Sequence, residues 1–225
     1  EPYFIDKLVD LIEETALEEH ERDFNQLVVY GKDADLLNLL GALKQYPMMA
    51  ERRVVILKEA QEFKFLLELE PYLAEPVPTT IFVVAYKYKN LDARTKFAKL
   101  AQEHGALFKS EKIKEYQLPD WIAGLLQTKG FTFSSKVPHL LAESIGNDLS
   151  RISNEIDKLA IILPEGHKID ETLVEKHIGI SKEYNVFELN NAVAAKDLVK
   201  ALKIVKYFQA NPKAGELVPV IAMLF

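Results

Sequence analysis

The sequence predicts an α/β domain built around a parallel sheet, followed by a region that contains only helices. Three observations support this. Apolar runs alternate with helical stripes over the first 117 residues, a pattern typical of parallel α/β sheets. The run VVIL (54–57) is uninterrupted, as expected for a strand that is covered on both faces. After residue 117 helical stripes continue, but no convincing strand follows.

The elements of the predicted α/β domain follow from periodicity and punctuation. The predicted helices are EPYFIDKLVDLIEE (1–14), DADLLNLLGALKQY (33–46), FKFLLELEPYLAE (63–75) and DARTKFAKLAQEHG (92–105). The predicted strands are NQLVVYGKD (25–33, ending at Gly31), RRVVILKEA (52–60), PVPTTIFVVAYKY (76–88) and, as a further candidate, ALFKSEK (106–112). The second helix has Asp33 or Asp35 as its cap, and Pro47 should end it at Tyr46.

Composition narrows the class of protein. With 225 residues, 48% of them apolar and 28% charged, the chain is long enough for more than one globular core. No stretch reaches the roughly 18 apolar residues of a membrane span, so we expect no membrane association. The lack of cysteine excludes disulfides and thiolate metal sites, and it fits a cytoplasmic protein. A net charge of −6 argues against a broad nucleic-acid-binding surface.

Catalytic motifs are weak throughout the sequence. No GxxxxGK[ST] loop is present to surround phosphates with backbone N–H groups. The strand VVIL ends in Lys58 and Glu59, whereas an NTPase of this layout needs a carboxylate first, to help hold Mg²⁺. The five histidines are scattered without metal-ligand spacing. We therefore predict a nucleotide fold without its chemistry, with no catalytic residues, no metal and no cofactor.

Two adjacent methionines, Met48 and Met49, follow Pro47 immediately before the buried run. Periodicity alone favours a core role, since an apolar pair before a buried strand usually packs inside. However, the preceding helix already has a full apolar stripe at Leu36, Leu39, Leu40 and Leu43. Methionine is flexible and polarisable, which suits a protein-binding surface. The alternative is therefore that the pair enters a pocket on another protein.

Four stretches, in the same order, resemble the delta subunit of the bacterial DNA polymerase III clamp loader. They are EPYFIDKLVDLIE (1–13), PMMAERRVVILKEAQEF (47–63), LDARTKFAKLAQEHGALFKSEKIKEYQLPDWI (91–122) and IGNDLSRISNEIDKLAIIL (145–163). The first resembles the helix after the family's degenerate phosphate loop, and the third its L-D-x-R-x-K…HG…L-x-x-W-I passage. The last is similar to the helical signature G-N-D-L…E-x-x-K-L.

The resemblance implies three domains. Residues 1–117 would form a P-loop NTPase-like (AAA+-like) α/β domain, whose N-terminal strand and phosphate loop we expect to lie outside this sequence. Residues 118–183 would form a helical lid, and residues 184–225 the first helices of a truncated collar. On this register Phe4, Ile5 and Asp6 stand where an active P-loop has Gly, Lys and Ser/Thr.

The resemblance also implies a function in DNA replication. The delta subunit, part of the DNA polymerase III holoenzyme, is not itself an ATPase. It binds the ring-shaped sliding clamp (beta subunit) and opens it or holds it open while partner subunits hydrolyse ATP. Its main clamp contact is an apolar pair at a helix end; the matching residues here are Met48 and Met49, with Tyr46 and Pro47 beside them. The family often has a Leu-Phe type pair there. We favour this contact for at least one methionine.

The expected partners, besides the clamp, are the gamma/tau and delta-prime type subunits, bound through the collar, and primer–template DNA only in the assembled complex. Two alternatives remain: an active P-loop ATPase whose phosphate loop lies outside the sequence, and a helical adaptor unrelated to replication. Lys87, Lys89 and Arg94 form a small basic cluster that we interpret as solvated surface.

Overall fold

The computed structural model describes residues 1–178 and 186–210 and divides into two compact units, Glu1–Lys112 and Ile113–Phe225. The helices of the first unit are α1 (Pro2–Thr15), α2 (Glu19–Asn25), α3 (Leu36–Lys44), the short α4 (Glu70–Ala74) and α5 (Lys96–His104). Its strands are β1 (Gln26–Tyr30), β2 (Arg53–Lys58) and β3 (Thr80–Val84). The predicted α/β class with a parallel sheet is confirmed.

The sheet has the order β1-β2-β3, and both pairs of neighbours are parallel. Leu27 lies opposite Val55, which in turn lies opposite Phe82. Parallel neighbours need crossover connections. Helix α3 lies in the connection from β1 to β2, and two 3₁₀ turns with α4 lie between β2 and β3. The first three strands were therefore placed correctly from the sequence.

The central strand β2 explains the uninterrupted run VVIL. Val55 and Leu57 face one side of the sheet and pack in a core that includes side chains of α3, α4 and α5. Val54 and Ile56 face the other side and pack in a core that includes Val9 of α1. All four β2 side chains have no solvent exposure. Burying a side chain of this size contributes about 1.5–3 kcal/mol, so β2 is the main apolar element of the unit.

Helix α3 carries the predicted leucine stripe into the core. Leu39 and Leu43 are buried, and Leu36 and Leu40 pack against the same cluster. Of the two proposed caps, Asp35 is used: its carboxylate accepts a hydrogen bond from the Asn38 backbone N–H at 2.9 Å. The helix ends two residues earlier than predicted, at Lys44, because the backbone is already extended at the residue that follows it.

Two predicted elements of the first unit are wrong in part or in full. Residues 63–75 form 3₁₀ turns and only five residues of α-helix, since Pro71 interrupts the backbone hydrogen bonding. Residues 106–112 form no strand. Leu107 and Phe108 are both more than half exposed. The segment is joined to the start of the chain by the Ser110 hydroxyl, which donates to the Glu1 carbonyl oxygen, and not by a β-sheet ladder.

The second unit is mainly helical, as predicted. Its helices are α6 (Leu118–Thr128), α7 (Lys136–Ile145), α8 (Leu149–Ile162), α9 (Glu171–Ile178), α10 (Val186–Ala194) and α11 (Leu198–Ala210). The sequence showed no strand here, yet β4 (Thr132–Phe133) pairs in parallel with β5 (Lys168–Ile169). Two residues per strand are too few to produce a periodic signal.

The predicted division of this unit into a lid and a collar at residue 183 stays a prediction, and residues 179–185 and 211–225 lie outside the described residues. In the described part of the chain, no helix combines the length and apolar character needed to span a membrane.

Candidate functional site

The loop from α3 to β2 presents an exposed apolar tip, which we define as residues 46–49 and call the methionine tip. Met49 is 98% exposed and Met48 52%. Tyr46 is also exposed, and Pro47 is half-buried. The core interpretation of the pair therefore does not describe Met49. Met49 has apolar neighbours in the tip, and a group of exposed apolar side chains is typical of a binding surface.

Local backbone geometry directs the tip outward. Helix α3 ends at Lys44, and Pro47 cannot continue a helix because it lacks a backbone N–H. Met49 has φ of +54°, in the left-handed region that side chains larger than glycine seldom adopt. A residue keeps this conformation where the surrounding contacts determine it.

Two buried polar side chains hold the backbone next to Met49 and the helix ends beside it. The Asn25 side chain, at the end of α2, accepts from the Met48 backbone N–H (2.6 Å) and donates to the Met48 carbonyl oxygen (2.9 Å). The Arg53 guanidinium, at the start of β2, donates to the carbonyl oxygens of Ala42 (3.1 Å) and Phe24 (3.0 Å). The tip is therefore attached to α2, and the neighbouring ends of α2, α3 and β2 are joined.

Asn25, Arg53 and Phe24 were not predicted from the sequence. Phe24 is 61% exposed on α2 and directly precedes Asn25, the residue that holds Met48. The available signal was an aromatic residue in an otherwise charged helical segment, ERDFN (21–25). Asn25 and Arg53 left no signal, because their partners are backbone groups distant in sequence.

At the opposite end of β2, the predicted degenerate positions form ion pairs. The Lys58 ammonium lies 2.7 Å from a Glu13 carboxylate oxygen and 3.8 Å from one of Asp10, both on α1. Partial burial lowers the pKa of Lys58, but the hydrogen bond and charge of Glu13, with smaller contributions from Tyr30 and Asp10, outweigh it and raise the pKa. Lys58 therefore remains a cation held by α1.

Glu59 adopts a left-handed conformation (φ +52°) and pairs with Lys87 at 2.6 Å. The same Lys87 ammonium lies 2.7 Å from the Asp6 carboxylate of α1. Gln61 donates to the other Glu59 oxygen at 2.5 Å. We call Asp6, Glu59 and Lys87 the carboxyl-edge triad, because it lies where β2 and β3 end.

The triad corrects one sequence-based interpretation. Lys87 is not solvated surface: only 7% of it is exposed. Burial lowers the pKa of Lys87, but the hydrogen bonds and charges of Asp6 and Glu59 outweigh it and raise the pKa. Burial acts to raise the pKa of Glu59, yet the hydrogen bonds from Lys87 and Gln61 lower it overall. Lys87 and Glu59 are therefore both charged at neutral pH.

The charged groups at this end of β2 are paired with one another. Lys58 and Glu59 each have an internal partner, and a cavity of about 270 Å³ beside Lys58 is lined by three carboxylates together with Arg22 and Gln26. Among residues 1–178 and 186–210, no three His, Asp or Glu side chains are grouped so as to hold a metal ion.

Residues 1–111 match the family model described as DNA polymerase III, delta subunit. The delta subunit is therefore the family that this segment resembles. The DNA polymerase III subunit delta of Bacillus subtilis (strain 168) is 26% identical over 234 residues, a match that covers 100% of this chain and 67% of that relative. The predicted resemblance to the delta subunit of the replication clamp loader is confirmed.

A solved structure supports the fold of the chain. The Bacillus subtilis DNA clamp loader delta protein aligns with a TM-score of 0.67 at 24% sequence identity. The alignment covers 99% of this chain and 68% of that one, so this chain spans about two-thirds of the length of both relatives.

Proposed function

We propose that the chain binds the bacterial DNA polymerase sliding clamp through the methionine tip and opens its ring, or holds one ring interface open, while partner subunits hydrolyse ATP. The observation that carries the proposal is the exposure of Met48 and Met49, the residues that the sequence resemblance matches to the clamp contact of the delta family. The Met48 backbone is held by the Asn25 side chain, which keeps the main chain of the tip from collapsing onto the core.

The energy available at the tip is sufficient for a specific contact. Two apolar side chains that enter a pocket contribute on the order of 1.5–3 kcal/mol each before ordering costs. Replacing both by alanine should therefore cost about 2–4 kcal/mol, or roughly thirty- to several-hundred-fold in affinity. The fold should not change, because Met49 contributes almost no buried surface.

The test is binding of purified cognate clamp by the wild-type chain and by the Met48→Ala, Met49→Ala double variant, measured by calorimetry without nucleotide. Leu37→Ala is a matched control, since Leu37 is an apolar α3 residue with 77% exposure outside the tip. We expect the control to bind as the wild type does. Equal affinity of the double variant and the wild type would remove the site assignment.

We further propose that the α/β unit is an AAA+-like nucleotide fold that has lost its own ATPase chemistry. The support is the ion pairing at the carboxyl ends of β2 and β3, the edge where open α/β sheets bind ligands. There the Lys87 ammonium lies between Asp6 and Glu59, and Lys58 takes the position of a metal-binding carboxylate.

ATP hydrolysis by the full-length protein tests this second proposal and separates it from the active-ATPase alternative. We expect Mg-ATP turnover no faster than background, and no change on Glu59→Gln. Turnover that is lost in Glu59→Gln would establish the alternative. Contacts with gamma/tau and delta-prime type subunits through the collar, and with primer–template DNA in the assembled complex, complete the proposed function.

A further inference from the structure

The end of α2 holds the methionine tip by a two-point contact that the family resemblance did not suggest. Asn25 is fully buried, and its side-chain amide bonds both peptide groups of Met48, the N–H at 2.6 Å and the carbonyl at 2.9 Å. Its second amide hydrogen points to the Glu21 carbonyl oxygen at 3.1 Å. Each donor of this amide is used, and its oxygen accepts one bond.

The chemistry of this contact requires an amide. A donor and an acceptor must lie side by side in one plane to match the N–H and C=O of a single residue, and asparagine provides both. The Met48 N–H fixes which amide atom is oxygen, and the Met48 carbonyl fixes which is nitrogen. An aspartate of the same shape would keep the acceptor but lose the donor. An alanine would lose both and leave buried backbone groups without partners.

Asn25 holds Met48, and the next residue, Met49, is the most exposed residue of the methionine tip. Met49 follows Met48 directly, has a left-handed backbone and is almost entirely in solvent. Without the Asn25 bonds, the segment between α3 and β2 would have to be ordered when a partner binds, and ordering reduces affinity.

We propose that Asn25 is a positioning residue for partner binding: its side-chain amide holds the Met48 backbone so that Met48 and Met49 are presented in their binding conformation. This inference rests on the proposed clamp contact. Asn25 itself is buried and acts through the tip. Arg53 assists by joining the carbonyl oxygens of Phe24, which precedes Asn25 in α2, and of Ala42 in the last turn of α3.

The experiment measures clamp affinity of Asn25→Ala and Asn25→Asp in the full chain, together with hydrogen exchange of the Met48 amide. Both variants should weaken clamp binding about tenfold, because the tip must be ordered on binding. The Met48 amide should exchange faster in Asn25→Ala, which removes its acceptor. Val9→Ala is the control, since Val9 is buried in α1 on the other face of the sheet, and it should leave affinity unchanged while lowering stability.

A double-mutant cycle separates positioning from general destabilisation. The Asn25→Ala, Met49→Ala double variant should lose less clamp affinity than the product of the two single-variant fold losses. The reason is that Asn25 no longer has the Met49 side chain to position. Strictly independent effects would overturn the inference.

The remaining outcomes are distinct. If the wild type binds the clamp and both Asn25 variants bind equally well, the positioning role is wrong and the proposed function stands. Full binding by Asn25→Asp alone would show that shape, and not the amide, is what matters, and this also overturns the inference. If the wild type does not bind the clamp, the proposed function fails and the positioning role fails with it.

Discussion

Replacing Lys87 by methionine tests whether the carboxyl-edge triad stabilises the α/β unit. Methionine keeps the apolar stem and removes the ammonium, which lies 2.7 Å from Asp6 and 2.6 Å from Glu59. Because Asp6 belongs to α1 and Lys87 follows β3, the substitution breaks a link between a helix on one face of the sheet and the end of a strand. It leaves two carboxylates facing each other without a cation.

The size of the effect follows from the exposure of the three side chains. Breaking a fully buried ion pair costs about 3–5 kcal/mol, whereas an exposed pair contributes at most about 1 kcal/mol. The Lys87 side chain is 8% exposed, but those of Asp6 and Glu59 are 48% and 31% exposed, so water offsets part of the loss. We expect Lys87→Met to lower the free energy of unfolding by about 2 kcal/mol.

The assay is thermal unfolding of the full chain, where a loss of this size lowers the melting temperature by roughly 4–8 °C. Lys89→Met is the matched control, because Lys89 is an exposed lysine two residues further along, and it should have little effect. A cycle with Asp6→Asn should show coupling of about 1 kcal/mol. If Lys87→Met is as stable as Lys89→Met, the triad contributes no more than a surface pair and our reasoning is refuted.

Further predictions concern Gly31 and the two charged groups Glu59 and Lys87. Gly31→Ala should lower the free energy of unfolding, measured by denaturant titration, by about 3 kcal/mol, because a Cβ there would lie 2.3 Å from the Glu59 carbonyl oxygen. Gly41→Ala is the control: its Cβ meets no atom within 4 Å, and it should stabilise α3 by about 0.5–1 kcal/mol. The lowered pKa of Glu59 stabilises the fold above its ordinary value of 4.5, and this contribution is lost as pH falls through the lowered pKa, so Glu59→Gln should lose less stability on acidification than the wild type. The raised pKa of Lys87 affects stability at alkaline pH. Its contribution to the free energy of unfolding is fully present below pH 10.5 and is lost as pH rises through the raised pKa.

The helices and strands of the α/β unit could be predicted where burial in a core produces a regular pattern of apolar residues in the sequence. The α3 stripe and the run VVIL identified a helix and a central strand, because each is covered by a core with a defined direction. Residues 106–112 were wrongly predicted to form a strand, because their apolar residues are exposed and no neighbouring strand pairs with them. The β4–β5 pair was missed because it is held by two residues on each side.

The candidate site was predictable only in part. Met48 and Met49 stood out because the neighbouring helix had a complete stripe without them. Their supports did not, since Asn25 and Arg53 bind backbone groups that become close only in the folded chain. Lys87 was misinterpreted for the same reason: Asp6, which draws it inward, is 81 residues away in sequence.

Site-specific photocrosslinking to the cognate clamp, without nucleotide, tests whether the methionine tip lies at the clamp contact. A photoreactive residue is introduced at position 49 or, as a control, at position 37, which is also highly exposed on the same unit. We expect a crosslink to the clamp from position 49, competed by unlabelled wild-type chain, and none from position 37. Equal crosslinking from both positions, or none from position 49 under conditions where the complex forms, would contradict the proposed clamp contact.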